Sequence, residues 1–377
     1  MKHLTVLLVC FFAILSPARA QSHFPTDANS VGRWMTYYYL NKNPAQVGDF
    51  LQWLEESRDL DSNANFEPPA VGFLATVFSD NPDRVRGWAG ATPYHGGAKL
   101  AVERALWLSG HGDLIAALFH ETPDYAAQKP VALLDMPLKT PGAFDMMWAA
   151  FSATGNAAYP ARLIDVLDEA TVLTGNKLED AVYRRSAEWS LFSNIGQHEL
   201  ILRMVRKEAA RRTGPVQQKL KDMLAEFDSK RISFPNCAGE FCSMLALISE
   251  ENLKEFEKPS DQAVILTQLH KARPGDHVVV KLTFAGMELA DDLTADVTYD
   301  LKIVAPDGSL YDNAEHKDLE ALKRKIPLRF SIFDNRAMIM IRFEPKDARG
   351  TYKVFAVIKD NIGHRTIALS DQIELTD

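Results

Sequence analysis

The sequence predicts an α + β multidomain protein: an all-α domain of helical hairpins, a solenoid or irregular bundle, followed by an antiparallel β-sandwich. Two observations carry this reading. Apolar residues recur at helical spacing from Ser30 to about Leu247, and near residue 260 the hydrophobic period changes from 3.6 to 2. A third bounds it: residues 1–20 read as a secretory leader, and the 357 residues beyond exceed the roughly 100 to 200 of one domain.

The leader opens with Lys2 and His3, runs apolar from Leu4 to Leu15, and breaks at Ser16-Pro17. Ala18-Arg19-Ala20 offers small residues at the positions signal peptidase reads, so cleavage is expected after Ala20. Twelve residues fall short of the about 20 needed to span a bilayer, so no integral membrane segment is expected after cleavage. Lipid on Cys10 is disfavoured by the bulky Val9 before it. The expected address is the periplasm or the medium.

Composition narrows the partner. The chain holds 50 acidic against 42 basic residues, and losing Lys2 and Arg19 takes the net charge to about −10, which argues against a nucleic-acid or anionic-surface partner. Cys10 leaves with the leader, so Cys237 and Cys242 remain as an isolated pair that an oxidising compartment should bridge. The rival is a redox dithiol, but redox motifs usually place two residues between the sulfurs and here four intervene.

The helical domain is assigned to residues 21–248. Asn43-Pro44, Asn81-Pro82 and Thr122-Pro123 each read as an N-cap followed by proline at the first helical position. Phe144, Met147, Trp148 and Phe151 make a stripe that Gly155 stops; Leu163, Ile164, Val166 and Leu167 build the next helix. Further hairpins join Leu100–Leu108 to Leu114–Phe119 and Ala187–Phe192 to Leu200–Val205, with Gly214-Pro215 before a last helix ending near Phe227. None of the common repeat patterns recurs. All six tryptophans (Trp34, Trp53, Trp88, Trp107, Trp148, Trp189) fall here, and their place on apolar stripes reads as one large core, the rival reading being an aromatic cleft.

Residues 249–261, ending in Lys258-Pro259-Ser260, read as a linker, and 262–377 as the sandwich. Alternating faces appear at Val278–Phe284, Val297–Ile303, Ile339–Phe343, Tyr352–Ile358 and Ile367–Leu375, with turn residues between them. Within this part, Asp347-Ala348-Arg349-Gly350-Thr351-Tyr352 resembles the corner of immunoglobulin-like sandwiches, in which a tyrosine opening a late strand bonds back across the turn. The chain departs from true immunoglobulin domains in having Val354 where the second cysteine stands and no tryptophan in this part. The whole layout resembles uncharacterised exported bacterial proteins with a helical front and a sandwich tail, a likeness that implies no activity.

Several constellations approach a chemistry and stop short. Asp59 to Asn65 alternates oxygen side chains as a calcium loop does, but Ala64 replaces the turn glycine and Ala70 the bidentate glutamate. Tyr94-His95-Gly96-Gly97 is similar to the oxyanion loop of esterases, yet the chain has no G-x-S-x-G elbow, and Trp107 precedes Ser109 where a glycine belongs. His111, Asp113, His120 and Glu121 lack the spacing of helical zinc sites, and Met136, Met146 and Met147 read as core filler. The basic run Arg203, Arg206, Lys207, Arg211 and Arg212 reads as a solvated face, with an anionic partner as its rival.

The expectation is therefore an exported, non-catalytic binding or adaptor protein whose partner is a protein or an envelope glycan, with no metal and no cofactor. The alternative is a periplasmic lyase or hydrolase acting on envelope polysaccharide or peptide, with its cleft near Trp88, Tyr94, His95 and Trp107.

Overall fold

A computed structural model describes residues 24–120, 123–257 and 267–377. The leader, Glu121, Thr122 and Lys258-Pro259-Ser260 lie outside these. The chain divides into two compact units, helical up to Lys230 and β-rich from Arg231 to Asp377. Among the described residues no helix is long and apolar enough to cross a membrane.

The helical unit is built around helices Glu67–Asp80 and Pro141–Thr154. Every residue from Ala70 to Phe78 is buried, so the first of these has neighbours on all sides. Gly72 makes the pairing close: a Cβ there would stand 2.7 Å from the Met146 Cα. Thr140 caps the second helix by accepting from the Ala143 N–H at 3.3 Å, and Gly155, at φ +77°, ends it as the sequence requires. Trp34 packs with Phe50 and Phe73 at 5.3 and 5.5 Å between ring centres, an aromatic centre that excludes water. Asn81 departs from its expected role. It closes the preceding helix, its Nδ2 donating to the Val77 carbonyl at 2.8 Å, because Pro82 ends the helical run before it.

The β unit starts earlier than the change of period suggests. Its strands are β1 (Asn236–Ala238), β2 (Phe241–Ser249), β3 (Lys271–Ala272), β4 (His277–Ala285), β5 (Thr294–Val304), β6 (Leu310–Lys325), β7 (Phe333–Asp334), β8 (Ile339–Arg342), β9 (Gly350–Asp360) and β10 (Arg365–Leu375). One sheet runs β1-β2-β4-β7 with β8 also on β4; the other runs β3-β10-β9-β5-β6. Among the described residues all strand pairings are antiparallel except β3 with β10. β5 thus lies between β6 and β9, and β4 between β2 and the short strands β7 and β8. The expected corner is present: Tyr352, at the start of β9, donates its hydroxyl to the Ala348 carbonyl at 2.9 Å.

Two boundaries are thereby corrected. Residues 236–248, assigned to the helical half, form β1 and β2. Glu250–Glu257, assigned to a linker, is a 3-10 helix whose Leu253 and Phe256 pack on Ala246, Ile248 and Val279. The two errors share one cause. With its outer face covered by that helix, β2 is apolar at consecutive positions, and such a run has no period of 2 to reveal it.

Candidate functional site

Tyr94 and His95 lie in the loop between helices Val85–Ala89 and Gly96–Leu108, where they line a cavity of ≈ 560 Å³ with Thr92, Lys99 and Phe119. The Tyr94 ring packs against Phe119 at 6.2 Å, and the Lys99 ammonium stands 5.9 Å from the same ring. The tyrosine hydroxyl donates to the Trp88 carbonyl at 3.4 Å, and burial pushes its pKa well above the ordinary value.

The chain forty residues upstream fixes this loop. Glu55 accepts from the His95 backbone N–H and holds His95 Nδ1, both at 2.8 Å, while the imidazole remains 66 % exposed. Burial alone would raise the Glu55 pKa, but the two His95 contacts and the Arg58 guanidinium outweigh it and hold the carboxyl below its usual range. Asp61 accepts from the Gly97 N–H at 2.7 Å and pairs with Arg58 at 2.5 Å. The two glycines follow from this packing. Gly96 has φ +50°, and a Cβ on Gly97 would stand 2.7 Å from the Leu60 carbonyl oxygen. Asp61 thus serves the helix start that the esterase comparison would reserve for an oxyanion.

The remaining cleft candidates lie elsewhere. Trp88 stacks on Phe78 at 6.4 Å and does not line this cavity. Trp107 donates its indole N–H to the Gln128 carbonyl at 2.8 Å and lines a separate ≈ 240 Å³ cavity with Arg104, Tyr125, Met136 and Met146. Ser109 donates to the Leu106 carbonyl at 3.0 Å, with its Oγ 3.0 Å from His111 Nδ1. Among the described residues, no group of three or more His, Cys, Asp or Glu is placed to hold a metal. Cys237 and Cys242 are bonded across the β1–β2 hairpin. The basic run is partly neutralised: Arg203 pairs with Glu199 at 3.0 Å, and Arg211 and Arg212 share Glu208 at 2.6 and 2.8 Å.

The structure also shows a surface that the reading of the tryptophans as core missed. Trp189 is 71 % exposed on helix Lys177–Ile195, and Leu178 and Val182 beside it are 76 % and 58 % exposed. Next to them lies a second ≈ 560 Å³ cavity lined by Val172, Ala181, Arg184, Arg185 and Glu188. Hydrogen bonds tie its floor together: Arg184 donates to the Asp168, Glu169 and Thr171 carbonyls, and Asp180 accepts from the Leu173 and Thr174 N–H groups. The Thr174 bonds hold the Asp180 pKa below its usual value. The 4-3-4-3 spacing of Leu178, Val182, Arg185, Trp189 and Phe192 carried this surface in the sequence.

Comparison with protein-family models finds no match, and comparison with curated proteins finds none. Solved structures give faint likenesses. A family 123 glycoside hydrolase from Clostridium perfringens is 12% identical at a TM-score of 0.24, over 36% of this chain and 27% of its own length. A Niemann-Pick type C2 protein from Japanese carpenter ant is 9% identical at 0.22, over 38% of this chain and 100% of its own. An alkylpurine DNA glycosylase from Pseudomonas fluorescens is 12% identical at 0.21, over 89% and 83%. The chain thus spans little more than a quarter of the hydrolase, and scores of this size support no transfer of activity.

Proposed function

We propose that this chain is an exported, non-catalytic binding protein of the bacterial cell envelope, whose helical unit holds an envelope glycan or peptide in the Tyr94–His95 cavity. The observation that carries the reading is the lining: the Phe119 and Tyr94 rings beside the His95 and Lys99 nitrogens. Rings that stack on a sugar or side-chain face, together with groups that bond to hydroxyls or carboxylates, are what a polar, ring-bearing ligand needs. The leader up to Ala20 and the Cys237–Cys242 bond support export. The acidic balance favours a protein or glycan partner over nucleic acid.

The test is calorimetric titration of the mature chain with peptidoglycan fragments and envelope oligosaccharides. Saturable heat is expected, with Phe119→Ala weakening affinity about tenfold, the effect of ~1.4 kcal/mol of lost stacking. Binding to none of these fragments sinks the reading.

One observation favours the enzyme alternative. A carboxylate that accepts from one imidazole nitrogen orients the other for proton transfer, and Glu55 stands in that relation to His95. That reading requires new reducing ends or free amines to appear when the same fragments are incubated with the protein, and to disappear in His95→Gln.

A further inference from the structure

We propose that helix Lys177–Ile195 is a self-association surface, on which a second copy of this chain packs antiparallel. The surface is distinct from the Tyr94–His95 cavity and stands on separate observations.

The helix has two faces. Ala187, Leu191 and Ile195 are fully buried in their own unit. On the opposite side Leu178, Val182 and Trp189 point to solvent, with Arg185 between them and Phe192 beyond. At 100° per residue the exposed apolar side chains fall within about 40° of one another, and their alternating steps of four and three residues are the spacing of a helix–helix seam. A 71 % exposed tryptophan on such a seam leaves a large apolar area in water, which a partner helix would remove.

Charge complementarity selects the occupant. Arg185 and Glu188 are exposed, stand on the same flank of the stripe, and make no ion pair among the described residues. A two-fold axis beside Arg185, perpendicular to the helix, brings the same flank of a second copy against the first, running the other way. In that register Val182 faces Trp189 of the second copy, and Leu178 faces the half-buried Phe192, whose ring carries the Lys230 ammonium of its own copy at 4.9 Å. The two Arg185 side chains meet at the axis, and each reaches Glu188 of the other copy, so that two reciprocal ion pairs offset the repulsion between the arginines. One helix thereby supplies both halves of a closed, self-complementary contact, as a two-fold dimer requires. The arginine at the centre fixes the register in the way a polar residue on a coiled-coil seam does.

Sedimentation velocity on the mature chain over a wide concentration range tests this. The wild type is expected to form a dimer, and Trp189→Ala and Arg185→Glu are each expected to raise its dissociation constant at least tenfold. Because both positions are exposed, circular dichroism should not change. Combining Arg185→Glu with Glu188→Arg restores the reciprocal pairs and should restore the dimer. A wild type that stays monomeric throughout overturns the proposal, including the outcome in which Trp189 fluorescence shifts only when other envelope material is added. A dimer indifferent to both single substitutions, or a charge swap that fails to rescue, overturns it equally.

Discussion

His198 is 1 % exposed, wedged against Tyr37 and Phe151 at ring distances of 5.2 and 5.1 Å, with the Tyr39 hydroxyl 2.9 Å from its Nδ1. With that nitrogen accepting, the tyrosine donates, and the ring is neutral. Burial lowers its pKa from the ordinary 6.5 to about 4. The unfolded chain therefore takes up this proton first. The stability tied to the neutral ring is intact above pH 6.5 and is lost as the pH falls toward 4, by an amount on the order of 3 kcal/mol. Denaturant midpoints measured across that window should fall for the wild type and flatten for His198→Phe, which costs about 1 to 3 kcal/mol at neutral pH because Tyr39 loses its acceptor. A second outcome belongs to Gly97. Gly97→Ala puts a methyl 2.7 Å from the Leu60 carbonyl oxygen and should destabilise by about 1 to 3 kcal/mol in the same measurement. The loop Tyr94 to Gly97 could be picked out from its residue types. Its partners could not, because Glu55 and Asp61 lie 40 and 36 positions away and many other acids stand equally free in the sequence.

The element that announced itself most clearly is β9. Its alternation, the turn before it and the tyrosine that opens it are all local, and Tyr352, Val354, Ala356 and Ile358 are all buried. Tyr352→Phe keeps the ring against Phe343, at 4.9 Å, and removes only the bond to Ala348. A loss of about 1 kcal/mol is expected, read as a lowered melting temperature without a change in near-ultraviolet dichroism. By contrast β6, the longest strand, left no trace as alternation. It lies at the edge of its sheet, with register shifts against β5 and with Asp312 and Asp318 at positive φ. Charges and irregularities along an edge discourage pairing with another chain, and the same features erase the period of 2. The exposed seam on helix Lys177–Ile195 misleads in the opposite direction. Leu178, Val182 and Trp189 have the spacing of a buried stripe, and spacing alone does not say whether the stripe faces its own core or water.

At the scale of the molecule the change of rhythm near residue 260 marked two units but misplaced the seam between them, and the misplacement has a measurable consequence. β2 pairs with β4 along eight residues, from Cys242 opposite Ala285 to Ser249 opposite Val278. It also donates the Leu247 N–H to Asp371 at 3.2 Å, tying it to β10 in the other sheet. A fragment beginning at Glu250, one residue past the start of the linker assigned from the sequence at 249, loses β1 and β2. Its β4 would become an edge with Val278, Val280, Leu282 and Phe284 deprived of their neighbour, and 3-10 residues Leu253 and Phe256 would lose the strand they cover. A fragment beginning at Arg231 keeps the ten strands of the described residues and the Cys237–Cys242 bond that closes the first hairpin. The longer fragment is expected to unfold in one sharp thermal transition and the shorter one to aggregate or melt without cooperativity. Reducing the disulfide in the longer fragment should cost it about 2 kcal/mol, the loop-closure entropy of so short a ring, without abolishing the transition. A cooperative transition in the fragment from Glu250 would show that β2 is dispensable to the sandwich, and the boundary would return to the one assigned from the sequence after residue 248.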